Sequence, residues 1–106
     1  MALKKEVDTK YGITAYYWKV GMISIDTNNK EGSFVLNLYV NDTAKEFIDS
    51  RVISFNEIYK EDGITKDTTL YDKYFKDETS EYDNIFTACY MCAKEVDDFF
   101  TDAKDC

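Results

Sequence analysis

The chain has no histidine and no proline, only four glycines, three cysteines and no apolar run longer than a few residues. Without histidine it lacks the commonest general base and the commonest metal ligand. Without proline, turns must be read from clusters of Gly, Asn and Asp. The glycines (Gly12, Gly21, Gly32 and Gly63) stand alone, so no glycine-rich loop cradles a phosphate. An odd cysteine count is no disulfide framework, and thiols of this kind are expected to stay reduced. The short apolar runs exclude a bilayer-spanning helix. No apolar signal core follows Lys4 and Lys5, so the chain is expected to stay in the cytosol where it is made or to be carried out in an assembly.

What is present suits one small core. The 106 residues are 44% hydrophobic and 16% aromatic, with 9 Tyr, 7 Phe and 1 Trp. That is too apolar for a disordered chain and enough for a single domain over residues 1–106. The formal charge of -8 lies entirely in one part. Residues 1–60 hold 8 Lys/Arg against 8 Asp/Glu, whereas residues 61–106 hold 5 Lys against 13 Asp/Glu. Such a field repels phosphate and argues against nucleic-acid partners.

Two periodicities divide the chain. Thr14 to Asp26 is dense in aromatic and β-branched residues, with Tyr16, Trp18, Val20 and Met22 on one phase and Ile23 and Ile25 on the other. Gly21 sits at the change, as a bulge would require. Asp26 to Gly32 is a polar turn cluster. Its resemblance to a calcium loop fails because Lys30 holds the fifth position and Glu31 the sixth. Ser33 to Asn41 alternates cleanly, Phe34, Leu36, Leu38 and Val40 against Val35, Asn37 and Tyr39. Arg51 to Tyr59 alternates again, and a further strand is expected within residues 3–11. Residues 61–80 read as a charged connector with one short helix, under which Leu70, Tyr74 and Phe75 tuck.

The C-terminal part repeats as a helix. Thr79 or Ser80 is placed to cap it, with Glu81 and Asp83 at its positive end. At about 100° per residue, Tyr82, Ile85, Phe86, Cys89, Cys92, Ala93, Val96, Phe99 and Phe100 form one stripe. Asp83, Asp97, Asp98, Asp102 and Asp105 lie opposite, as a solvated back. The fold expected is α+β: a three- to four-stranded antiparallel sheet in residues 1–60, with one amphipathic helix over about 80–102 packed on one side. Cys89-x-x-Cys92 falls deep in that helix on its apolar stripe, where it reads as core filling rather than a redox pair. A zinc site would need two further ligands where only Cys106, read as an exposed terminal thiol, remains. No cofactor, metal or catalytic residue is expected.

Exposed tyrosines are the candidate contacts. Strand neighbours face opposite ways, so Tyr17 cannot share a side with Trp18. Tyr17, Tyr39 and Tyr59 are expected on an open sheet surface, and Tyr90 and Met91 on the helix beside its buried stripe. Tyrosine and tryptophan exposed together suit a protein–protein interface.

The opening Met1-Ala2-Leu3-Lys4-Lys5-Glu6, the helix segment Ile85-Phe86 then Ala88-Cys89-Tyr90, and the ending Phe99-Phe100-Thr101-Asp102-Ala103-Lys104-Asp105-Cys106 resemble small proteins encoded among the tail genes of phages and prophages of Gram-positive bacteria. The connector at 61–80 is longer and more acidic than in that pattern. The resemblance implies a non-enzymatic virion component near the tail or baseplate, acting through other protein subunits as a homo-oligomer or in a larger assembly, away from membranes. A different class follows from the acidic half: a small inhibitor that mimics nucleic acid and blocks a host nucleic-acid-binding or defence protein.

Overall fold

The computed structural model describes residues 2–55, 59–65, 67–75 and 85–105. Five strands form one antiparallel sheet: β1 (Leu3–Asp8), β2 (Thr14–Asp26), β3 (Glu31–Tyr39), β4 (Asp49–Ser54) and β5 (Lys104–Asp105), in the order β4-β3-β2-β1-β5. Two helices, α1 (Thr69–Tyr74) and α2 (Ile85–Val96), and a 3₁₀ turn at Asp98–Phe100 complete the fold. The class is the expected α+β, but the sheet has five strands rather than three or four. The fifth is the two-residue β5, which pairs Lys104 with Lys4 and Asp105 with Leu3.

The bulge at Gly21 explains the broken phase of β2. The β2–β3 register shifts between Val20 and Met22. As a result Trp18, Val20, Ile23 and Ile25 all face the same way, opposite Leu38, Leu36, Phe34 and Gly32. Met22 is turned to the other side, opposite Val35. Without the bulge the two apolar runs of this strand would point in opposite directions. The following turn is closed by Asp26, whose carboxylate accepts from the Asn28 and Asn29 backbone N–H groups and from Asn29 Nδ2 at 2.7 Å. Those bonds make it a plain hairpin turn.

The core lies between one side of the sheet and the helices. Phe34, Leu36, Leu38, Ile53 and Phe55 meet Tyr71 and Tyr74 of α1 and Ala88, Cys89, Tyr90, Cys92 and Ala93 of α2. Each fully buried Leu or Phe contributes about 1.5–3 kcal/mol. Trp18 closes the end near the termini: its Nε1 donates to the Lys5 carbonyl at 3.0 Å, and its ring meets Phe99 and Phe100 edge-on. Phe75 stacks on Phe55, with ring centroids 4.9 Å apart. The short helix in the connector therefore forms, and Leu70, Tyr74 and Phe75 pack beneath it as their apolar character requires.

The C-terminal helix differs from its sequence reading. It ends at Val96 rather than near 102, because Asp97 takes an extended conformation (ψ 114°) and caps the 3₁₀ turn by accepting from the Phe99 N–H. Ile85, Phe86 and Val96, placed on the apolar stripe, are exposed at 43%, 53% and 38%. Tyr90, placed beside that stripe, is a core residue at 1% exposure, and Met91 is half-buried against the core. The caps Thr79 and Ser80, the acids Glu81 and Asp83, and Tyr82, Asn56, Ile58 and Cys106 lie outside the described residues.

Gly32 offers a sharp check of the β2–β3 register. A Cβ at this position would come within 2.6 Å of the Ser24 carbonyl oxygen and 2.8 Å of Phe55 Cζ. Since one of those atoms is backbone, Gly32→Ala should cost about 1–3 kcal/mol. Urea denaturation should show a clearly lower midpoint, and an unchanged midpoint contradicts the register.

Candidate protein–protein interface on the open sheet face

Among the described residues, all helical cover lies on one side of the sheet. On the other side β2 and β3 present Tyr17, Lys19, Met22 and Ser24 opposite Tyr39, Asn37, Val35 and Ser33. β4 adds Ser50 and Val52 opposite Asn37 and Val35. Because strand residues alternate, burying Trp18, Leu36 and Leu38 forces Tyr17, Asn37 and Tyr39 onto this side.

One band crosses the face from β5 to β3. Lys104 of β5 lies opposite Lys4 of β1, Lys4 opposite Tyr17, and Tyr17 opposite Tyr39. Tyr17 and Tyr39 pack edge-to-face with centroids 6.4 Å apart. Phe47, from the loop between β3 and β4, meets Tyr39 edge-on at 6.2 Å and is itself 53% exposed. A depression of about 180 Å³ beside the band is lined by Tyr17, Lys19, Tyr39, Asp42, Ala44 and Lys45. Lys4 also stands 5.3 Å from the centre of the Tyr16 ring.

The charges on this face are unusual for so acidic a chain. Among the described residues Lys4, Lys19, Lys45 and Lys104 form no salt bridge, and Lys4 and Lys104 are direct cross-strand neighbours. Like charges placed opposite one another destabilise a strand pair. The acids, by contrast, are engaged elsewhere. Asp97 binds Arg51 through both oxygens at 2.5 and 3.1 Å, Glu95 binds Lys73, Asp102 binds Lys5 and Asp105 binds Lys94. Asp62 and Asp67 accept from backbone and hydroxyl groups of Thr65 and Thr69 in their own turns. These contacts hold the carboxyls of Asp62, Asp67, Glu95, Asp97 and Asp102 below their ordinary values; for Asp97 the Arg51 guanidinium is the main cause. Among the described residues the C-terminal acids are therefore largely tied to the chain's own residues rather than forming one solvated helix back.

Of the five expected contacts, the structure brings Tyr17 and Tyr39 together on the open face, each half-buried rather than fully exposed. Tyr59 is 50% exposed but sits beyond β4, with no ring contact to that pair among the described residues. Tyr90 is withdrawn from solvent altogether, and its hydroxyl accepts from the Val20 backbone N–H at 2.9 Å. Met91 shares its helix and offers only part of its side chain. Phe47 was missed; its signal was an aromatic residue standing in a polar loop next to Lys45 and Glu46.

The Cys89-x-x-Cys92 pair is fully buried and unbridged. Burial pushes both thiols from the ordinary 9.0 up to about 12, with the neighbouring Cys89 adding to the shift at Cys92. A thiol so held stays protonated and is a poor nucleophile. No family model matches the chain, and no curated protein or solved structure matches it either.

The buried thiols set an alkaline limit. Tyr74, also raised by burial, moves from 10.0 to about 12. The unfolded chain releases all three protons at their ordinary values, so between about pH 9 and about pH 12 the native state binds more protons and stability falls as pH rises. Urea midpoints should hold steady below about pH 8 and decline above about pH 9. The decline should be shallower in the Cys89→Ala/Cys92→Ala variant, and an identical slope there means the thiols are not buried as described.

Proposed function

We propose that this chain is a non-enzymatic structural or accessory protein of a phage or prophage particle, from the tail or baseplate region, and that it works by docking against other protein subunits. The observation that carries the docking is the uncovered band Lys104–Lys4–Tyr17–Tyr39, extended by Phe47. Tyrosine and phenylalanine supply contact area with few rotatable bonds, and the lysines, which form no salt bridge among the described residues, select a partner surface that is acidic. The repulsion between Lys4 and Lys104 is relieved when a carboxylate from such a partner approaches both. The attribution to a phage particle rests on the resemblance of the chain's ends and layout to small tail-region proteins. In that setting the protein resides in the virion, or in the host bacterial cytoplasm before assembly. Two further features support a role without catalysis. The thiols are held neutral in the core, and the shifted carboxyls are shifted toward ionisation, which is the wrong direction for a general acid at neutral pH.

The test is incorporation into particles. When supplied to a strain producing the parent phage without its own copy of this chain, the full-length protein should co-sediment with purified tails. Truncating an interface tyrosine typically costs about 2 kcal/mol or more. Tyr39→Ala and Lys4→Glu should each lower occupancy at least about tenfold, with far-UV circular dichroism unchanged. Occupancy at the parental level in both variants removes the open face from the account, and absence of the parental protein from particles removes the structural role.

A further inference from the structure

Sheet edges expose unpaired backbone groups and are ordinarily protected by short strands, lysine, proline or bulges. The two edges of this sheet differ in that respect. At one end β5 is two residues long and carries Lys104. At the other, β4 runs for six residues in unbroken register with β3 and contains neither lysine nor proline. Its side chains are exposed except for Ile53, and Val52 is exposed at 63%.

The hydrogen-bond phase of β4 is fixed at its end, where the Phe55 N–H donates to the Gly32 carbonyl at 2.9 Å. Odd-numbered residues of the strand therefore turn their N–H and C=O groups toward β3, and Ser50 and Val52 turn theirs outward. The Ser50 N–H is held by its neighbour Asp49 Oδ1 at 2.8 Å, so the outward donor at the strand's centre is that of Val52. On the open face Val52 also ends an apolar row, lying opposite Val35, which lies opposite Met22, itself 67% exposed. On the covered side a groove of about 470 Å³ runs along the same edge, with Ile53, Val96 and Phe99 among its lining residues.

We propose that β4 is a self-pairing edge. Two copies of this chain join β4 to β4, antiparallel about a twofold axis at Val52, and merge two five-stranded sheets into one of ten. Three observations select a second copy as the occupant. First, a twofold axis normal to the sheet keeps the two covered sides together, so only residues of equal parity can face each other. Centring on Val52 then lets it exchange both outward bonds with its own copy and continues the row as Met22–Val35–Val52–Val52–Val35–Met22. Second, Arg51 lies across from Ile53 of the other copy in this register, while its guanidinium is already neutralised by Asp97. No charge is therefore buried without its partner. Third, two chains of -8 repel at most approaches, and this edge offers only Asp49 and that neutralised Arg51 as charged residues of the strand. The groove holds the side chains that the second strand turns toward the helices. Twenty ångströms or so of ladder is a small interface, so the dimer is expected in the micromolar range. This surface is distinct from the aromatic band. It names one partner within the docking role proposed above, and each idea fails separately.

The test is sedimentation equilibrium on the full chain from about 1 µM to about 1 mM, with amide exchange read at both extremes. A monomer–dimer equilibrium is expected, with the Val52 amide more protected at high concentration. Val52→Lys should weaken the dimer about tenfold or more, since it sets two cations against each other at the axis. Met22→Lys, on the same face but two strands in, should leave it within about threefold. A chain monomeric throughout overturns the proposal. So does a dimer lost in Met22→Lys and kept in Val52→Lys, which marks face-to-face stacking instead. Neither result bears on incorporation into particles, which is read through Tyr39 and Lys4.

Discussion

The hydrogen bond from the Val20 backbone N–H to Tyr90 Oη ties the C-terminal helix to the longest strand beside its bulge. β1 reaches β2 only as far as Trp18, so Val20 lies past the end of that pairing, and the register with β3 breaks just after it. A buried N–H left unpaired there would cost about 1–3 kcal/mol. The phenol meets that need from the middle of α2 and brings Ala88, Cys89, Cys92 and Ala93 down onto the sheet with it. Among the described residues α2 spans twelve residues and α1 six, and together they supply one covering layer. The opposite side of the sheet stays open as a consequence of how the first side is closed.

Much of this was legible in the sequence. The alternation of β3, the bulge at Gly21, the turn within the Asp26–Gly32 cluster and the burial of Cys89 and Cys92 all follow from local pattern, because each depends on neighbours within a few residues. The placing of Tyr17 and Tyr39 on the side away from Trp18 follows from the same alternation. Tyr90 did not follow. Its hydroxyl counts as polar in any helical projection, and the group that needs it is seventy residues away in sequence. Once Tyr90 turns inward the helix rotates about its axis, and Ile85, Phe86 and Val96 rotate outward. The two residues of β5 carry no periodic signal at all; they pair because Leu3 and Lys4 are there to receive them. The helix end at Val96 was likewise set by a distant partner, since Asp97 leaves the helix to hold Arg51 of β4.

Charge separates the two sides of the molecule. Among the described residues the acids of the C-terminal part are largely bound to cations and turn amides of the same chain, whereas several lysines of the open face form no salt bridge. A protein that repels most polyanions through its net charge thus keeps one surface suited to carboxylates and aromatic contact. The same surface runs into the edge strand β4, so a pairing at the edge and a docking on the face use neighbouring residues without competing for them.

The account stands most directly on the closure at Tyr90, and the exchange rate of one amide reports it. In native-state hydrogen exchange on the monomeric protein the Val20 N–H should be protected to within about tenfold of core β3 amides, and Tyr90→Phe should remove most of that protection while leaving β3 protected. If Val20 instead exchanges as fast as an open edge amide in the parent chain, the helix is not seated as described and the open face loses its definition.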